Sequence, residues 1–176
     1  NAEEAYLFYL DTIKIDYTMQ VIWGKLFRKS IISDKRFELL RYGEDSLFIA
    51  RLIAENNRIR LIDYIGYNYR EHKDSAVNKS KRKSSEYFSD MLNAYYLSYI
   101  ALKNVSDRVK EKSAQFYKNK VLDVSLRLKK WYHDKDAFVQ SSKIVKEHLT
   151  KVKSACKLSF KERLFLYMYS YCPRIL

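Results

Sequence analysis

Residues 41–57, RYGEDSLFIARLIAENN, set two adjacent carboxylates, Glu44 and Asp45, between a glycine and an apolar run. From Ser46 to about Asn56 the apolar residues fall at 47, 48, 49, 50, 52, 53 and 54, nearly all round a helix. A helix apolar on most of its faces belongs inside a core. Gly43-Glu44-Asp45-Ser46 reads as its start, because Asp or Ser can cap and acids there gain about 0.3–1 kcal/mol from the helix dipole. An isolated Gly-Glu-Asp triplet says no more than that. The buried helix fixes the centre of the fold, and the rest of the chain is read outward from it.

Upstream, EEAYLFYLDT (3–12) predicts a short helix with acids in its first turn, where they suit the dipole. TMQVIWGKLFRKSII (18–32) is rich in Val, Ile, Trp and Phe and predicts a strand or an extended buried segment. A polar loop, SDKRFELLRYGED, then delivers the chain to the acidic pair. Downstream, NNRIRLIDYIGYNYREH (56–72) alternates as a strand that ends in a charged loop. KDSAVNKSKRKSSE (73–86) is polar, basic and serine-rich, and divides the chain in two.

Everything after that division reads as helix. Phe88, Met91, Leu92, Tyr95, Tyr99 and Leu102 form one stripe at helical spacing. Val109, Phe116, Val121, Val124, Leu128 and Trp131 form a looser second, and Phe138, Val145, Leu149 and Val152 a third. The last helix opens on SFKE, a capping box of Ser159 and Glu162, runs through Leu164 and Met168, and stops at Pro173. Tyr167, Tyr169 and Tyr171 alternate with a period of two, so one face cannot bury all three, which leaves aromatic surface for a partner. Four helices with lysine-rich outer faces make a small bundle.

Composition agrees with this picture. Three glycines and one proline are too few for a sheet-rich protein, and 47% apolar residues suffice for a core in a chain of 176. Cys156 and Cys172 have no metal-ligand spacing and are read as free thiols in a reducing compartment. No run reaches the roughly 18–20 apolar residues of a membrane span, and no signal peptide opens the chain. Asn1-Ala2 in place of an initiator methionine reads as a scar on a piece excised from something longer. The net charge of +13 is uneven: +2 over residues 1–100 and +11 over 101–176. The second half should therefore face something acidic, such as a lipid surface, a nucleic acid or an anionic polymer.

One further pattern spans residues 18–78. Trp23, Lys25, Leu26, Phe27 and Arg28 are followed by Phe37, then the acidic pair and its apolar helix, then Tyr67, Tyr69, Arg70, His72 and Ser75. In order and spacing this resembles the second part of the catalytic domain of family-2 glycosyltransferases, inverting enzymes of the GT-A fold that use nucleotide-sugar donors. The resemblance implies that Asp45 is the general base, taking the proton of the acceptor hydroxyl as that oxygen attacks the anomeric carbon. That task needs an ionised carboxylate held rigidly within hydrogen-bond reach, and a helix start suits it. Glu44 either contacts the acceptor or holds the loop. Trp23 and Lys25 border the acceptor pocket, though Trp23 reads equally well as a core anchor. Arg70 pairs with a carboxylate or with diphosphate. His72 is either a solvated loop residue or a contact to the donor diphosphate or its metal. His133 and His148, without acidic or cysteine partners at ligand spacing, read as surface residues.

The chain departs from the family in one respect that bears on activity. Neither the βαβ nucleotide-binding half nor its Asp-x-Asp motif is present; Asp134-Lys135-Asp136 matches by letters but lies between two basic helices, where it reads as an N-cap pair. The expected fold is mainly α with a few short strands, an α+β fragment of a GT-A domain, followed by an all-α bundle. The expected division is 1–78 acceptor-side catalytic part, 79–86 basic linker and 87–176 helical domain.

The expected function is part of a hexosyl-type transferase acting on a saccharide or lipid-linked acceptor in surface polysaccharide synthesis. It should be inactive alone and hold no cation itself, although Mg or Mn serves the full-length enzyme. The location that follows is cytoplasmic, with the basic helices on the inner membrane face or merely solvated. The rival readings are a basic helical module for nucleic acid, suggested by NKSKRK at 78–83 but lacking any recognition signature, and a helical interaction or oligomerisation domain.

Overall fold

The structure, a computed structural model, describes residues 1–12, 20–55, 58–60, 62–63, 66–70, 85–129 and 135–171. Among them are seven helices and no strand: α1 (Ala2–Thr12), α2 (Lys29–Ile32), α3 (Glu44–Ala54), α4 (Ser85–Leu102), α5 (Asp107–Lys129), α6 (Lys135–Ala155) and α7 (Phe160–Tyr171).

α3 is the buried helix that its apolar positions demand. Ser46 through Ala50, Leu52 and Ile53 are all buried. Phe27 meets the Phe48 ring edge-on at 6.4 Å, and Phe37 stacks on it at 4.7 Å. Two ion pairs lash the preceding loop along the helix, Lys35 to Glu55 at 2.7 Å and Arg51 to Glu38 at 2.6 Å. α3 joins Tyr6 and Tyr9 of α1, Leu102 at the end of α4 and Val109 at the start of α5 in one core.

The second core lies within the four-helix bundle. It gathers Phe88, Leu92, Tyr95 and Tyr99 from α4, Tyr117, Val121 and Val124 from α5, Val145, Leu149 and Val152 from α6, and Leu166 and Tyr169 from α7. α4 and α5 thus serve both cores, and apolar packing runs across the division expected at 79–86, of which residues 79–84 lie outside the described residues. The helix starts follow local chemistry. Ser106 Oγ accepts from the Val109 amide at the head of α5. The capping box of α7 is formed as read: Glu162 N donates to Ser159 Oγ at 3.3 Å and Ser159 N donates to Glu162 Oε2 at 2.8 Å. Glu162 also pairs with Lys118 at 2.7 Å, tying α7 to α5.

Several expectations are corrected. No strand forms among the described residues of 18–32, which turn at Gly24, whose φ is +73°, and then enter α2. A positive φ at mid-segment breaks the extended run that the β-branched composition suggested. The described residues between 58 and 70 also form no strand. A strand requires a neighbour to pair its amides, and no such neighbour exists among the described residues. α3 begins at Glu44, two residues before Ser46, and its cap is Gly43 with no side-chain bond, so neither Asp45 nor Ser46 caps it. The inward side of α7 is Leu166 and Tyr169, with Leu164 exposed and Met168 half-buried. Leu128, Trp131, Phe138, His133, Cys172 and Pro173 belong to readings outside the described side chains.

Candidate functional site

The acidic pair occupies the first turn of α3, where Glu44 and Asp45 are its first two residues and both are half-buried. Gly43 makes that placement. Its φ of +82° swings the loop into the helix, and its missing side chain lets α4 approach: a Cβ there would lie 2.7 Å from Ala94 Cβ and 3.3 Å from Met91 Sδ. Asp90, one turn earlier on α4, accepts from the Arg41 amide at 2.9 Å and so fixes the loop on the same side. On the other side, Ser46 Oγ donates to Gln20 Oε1 at 3.2 Å, tying the segment that leads to Trp23 onto the helix start.

Burial raises the Glu44 carboxyl above its ordinary value; the charges of Asp45 and Asp90 push the same way, while a bond from its own amide pulls it back. No hydrogen bond or ion pair among the described residues takes up the Asp45 carboxylate. Its position is set by the backbone of α3 and by the buried residues behind it.

Trp23 is half-buried and stacks on two tyrosines, Tyr67 with ring centroids 5.3 Å apart and Tyr69 at 5.0 Å. Tyr67 and Tyr69 are thus both brought against the same indole. With Asn68 and Arg70 they line a shallow open cleft. Arg70 is exposed there. Lys25 folds back, its ammonium donating to the Val21 carbonyl at 2.6 Å. His72 lies outside the described residues. Contacts therefore join Trp23 to Tyr67 and Tyr69, and Phe27 and Phe37 to Phe48, while Lys25 is turned toward its own segment. No group of three or more metal-ligating side chains occurs among the described residues, so Glu44, Asp45 and Asp90 do not make a metal site.

One polar residue was misread from sequence. His148 is buried, not superficial, and shares a 2.6 Å hydrogen bond between its Nδ1 and the Tyr117 hydroxyl. The signal was present: position 148 lies on the Val145–Leu149–Val152 stripe and so turns inward with it. Burial, helped by the charge of Lys151, pushes the imidazole down to about 4 from an ordinary 6.5. The unfolded chain therefore takes up a proton first as the solution is acidified. The stability linked to this residue is complete above pH 6.5 and declines to a floor near pH 4, a loss of about 3 kcal/mol. Urea denaturation of His148→Leu beside the parent should show that segment of the pH dependence flattened; parallel curves would mean that the ring is not held neutral.

Comparison with known proteins finds no family model, no curated protein and no solved structure that matches this chain. No helix among the described residues is long and apolar enough to cross a membrane.

Proposed function

We propose that this chain is the acceptor-side portion of an inverting family-2 glycosyltransferase, with Asp45 as the general base. The observation that carries the reading is the state of that carboxylate: half-exposed, engaged by no partner among the described residues, and mounted on the first turn of a buried helix. A carboxylate kept for capping or pairing would be expected to have a partner, and one kept for proton transfer needs an open side and a fixed base.

Two further features support it. Residues of the resembled pattern that are 44 and 46 apart in sequence, Trp23 with Tyr67 and Tyr69, meet as an aromatic platform of the kind on which a sugar ring can lie. The same region also leaves Leu26 and Leu39 almost wholly exposed and Ile59 and Ile62 about half or more exposed, apolar surface that a further half of the domain would cover. That half would carry the donor and its divalent cation, since the sequence reads no phosphate loop and the described residues offer no ligand set. Glu44, its carboxyl raised by burial, orients the acceptor hydroxyl beside Asp45.

The test is turnover. The complete reading frame, given nucleotide sugars and a saccharide or lipid-linked acceptor, should release nucleoside diphosphate only when the acceptor is present. The 176-residue chain should release none. Acceptor-independent release, or a reading frame with no nucleotide-binding half, would remove the proposal.

A further inference from the structure

α7 has two apolar faces, and only one of them is covered. Leu166, Tyr169 and Ser170 point into the bundle. Phe160, Leu164, Tyr167 and Tyr171 are 79%, 47%, 52% and 50% exposed. At about 100° per residue these four fall within an arc of about 60° on the outer side of the helix. The Tyr167 and Tyr171 rings stack at 4.8 Å, so the stripe is continuous at that end. The helix cannot roll to hide it, because the burial of Leu166 and Tyr169 in the bundle core and the Lys118–Glu162 pair fix its rotation.

The borders of the stripe are cationic. Lys161 and Arg163 are exposed on its two sides, Lys157 is exposed just before the helix, and the Lys146 ammonium sits 4.5 Å above the Tyr171 ring. Lys153, Lys157 and Arg163 also line one open cleft at the corner between α6 and α7. The only acid on α7, Glu162, is taken up by Lys118 and Ser159.

We infer that α7 is an interfacial helix that docks the protein on an anionic lipid surface, with Phe160, Leu164, Tyr167 and Tyr171 set into the headgroup boundary and the surrounding lysines and Arg163 on lipid phosphates. An exposed apolar stripe rimmed by cations is the pattern of helices that lie in a membrane interface. The helix lies on the surface and does not span it. A second copy is the poorer occupant. Taking about 200 Å² per large side chain, the stripe offers about 450 Å², well short of the roughly 800 Å² per partner in a stable interface, and pairing would press like charges together. A nucleic acid would satisfy the cations but offers no apolar phase for Phe160. The inference stands apart from the role given to Asp45 and does not depend on it.

The test uses the whole chain and two kinds of vesicle, phosphatidylcholine alone and phosphatidylcholine with phosphatidylglycerol in equal parts. Co-sedimentation should occur with the second and not the first. Leu164→Gln combined with Tyr167→Ser, both at exposed positions, should lower partitioning by about tenfold or more while leaving the far-ultraviolet helix signal unchanged. Lys157→Gln with Lys161→Gln and Arg163→Gln should lower it as well and weaken its dependence on salt. The inference is overturned if the chain ignores both vesicles, binds both alike, or binds equally well without the stripe. It is also overturned if light scattering shows a dimer that the stripe variant dissociates.

Discussion

If the chain serves the proposed transferase, replacing Asp45 by Asn should lower sugar transfer by the complete enzyme about 10²–10⁴-fold, the range that general base catalysis supplies. The fold survives. Asn has nearly the same shape, occupies the same first turn of α3, and forfeits no hydrogen bond or ion pair among the described residues. Loss of one acid at a helix start costs about 0.3–1 kcal/mol, whereas the fall in rate corresponds to about 3–5 kcal/mol on the barrier. The two effects separate cleanly: kcat for transfer collapses, the KM for donor holds, and the urea midpoint shifts only slightly. Transfer near the original rate in Asp45→Asn would falsify the assignment, and a loss that tracks unfolding would reduce Asp45 to a structural acid.

The elements of the fold differ in how legible they are in the sequence. α3 was readable because seven apolar positions between 47 and 54 leave no polar face, which only burial explains. The α4 stripe from Phe88 to Leu102 was readable for the opposite reason, a clean period of 3.6. The phase of α7 was not, since from Leu164 to Tyr171 every position but Ser170 is apolar or aromatic and several faces compete for the core. The strands failed because β propensity describes a half-buried pleated surface, and a run such as 56–72 contains nothing that says whether a neighbour exists to pair with it. The acidic pair was visible as residues but not as geometry. That Gly43 is the cap, and that Gln20 and Asp90 brace the loop from either side, follows from packing between segments 26 and more residues apart. The Tyr117–His148 bond is likewise a product of α5 lying against α6.

The largest stability effect is expected at Gly43, where the fold and the site depend on the same atom. Gly43→Ala meets two separate penalties. An L-residue held at φ +82° costs about 1–2 kcal/mol. The added Cβ would also stand 2.7 Å from Ala94 Cβ, an atom fixed by the α4 backbone and unable to swing aside. Such overpacking typically adds about 1–3 kcal/mol. Together they amount to about 4 kcal/mol, a large share of the roughly 5–15 kcal/mol that holds a domain folded, and the urea midpoint should drop accordingly.

Ala94→Gly separates the two terms. By itself it weakens α4 by about 1 kcal/mol, yet combined with Gly43→Ala it removes the steric clash and leaves the φ penalty. A double-mutant cycle should therefore return a favourable coupling of about 1–3 kcal/mol. A coupling near zero would mean that α3 and α4 do not approach as closely as 2.7 Å implies. Any relief of the clash by backbone movement must push the start of α3 away from Met91 and Ala94, carrying Glu44 and Asp45 with it. Gly43→Ala should thus lower transfer and stability together, and restoring the fit with Ala94→Gly should recover part of both, a joint response that Asp45→Asn does not share.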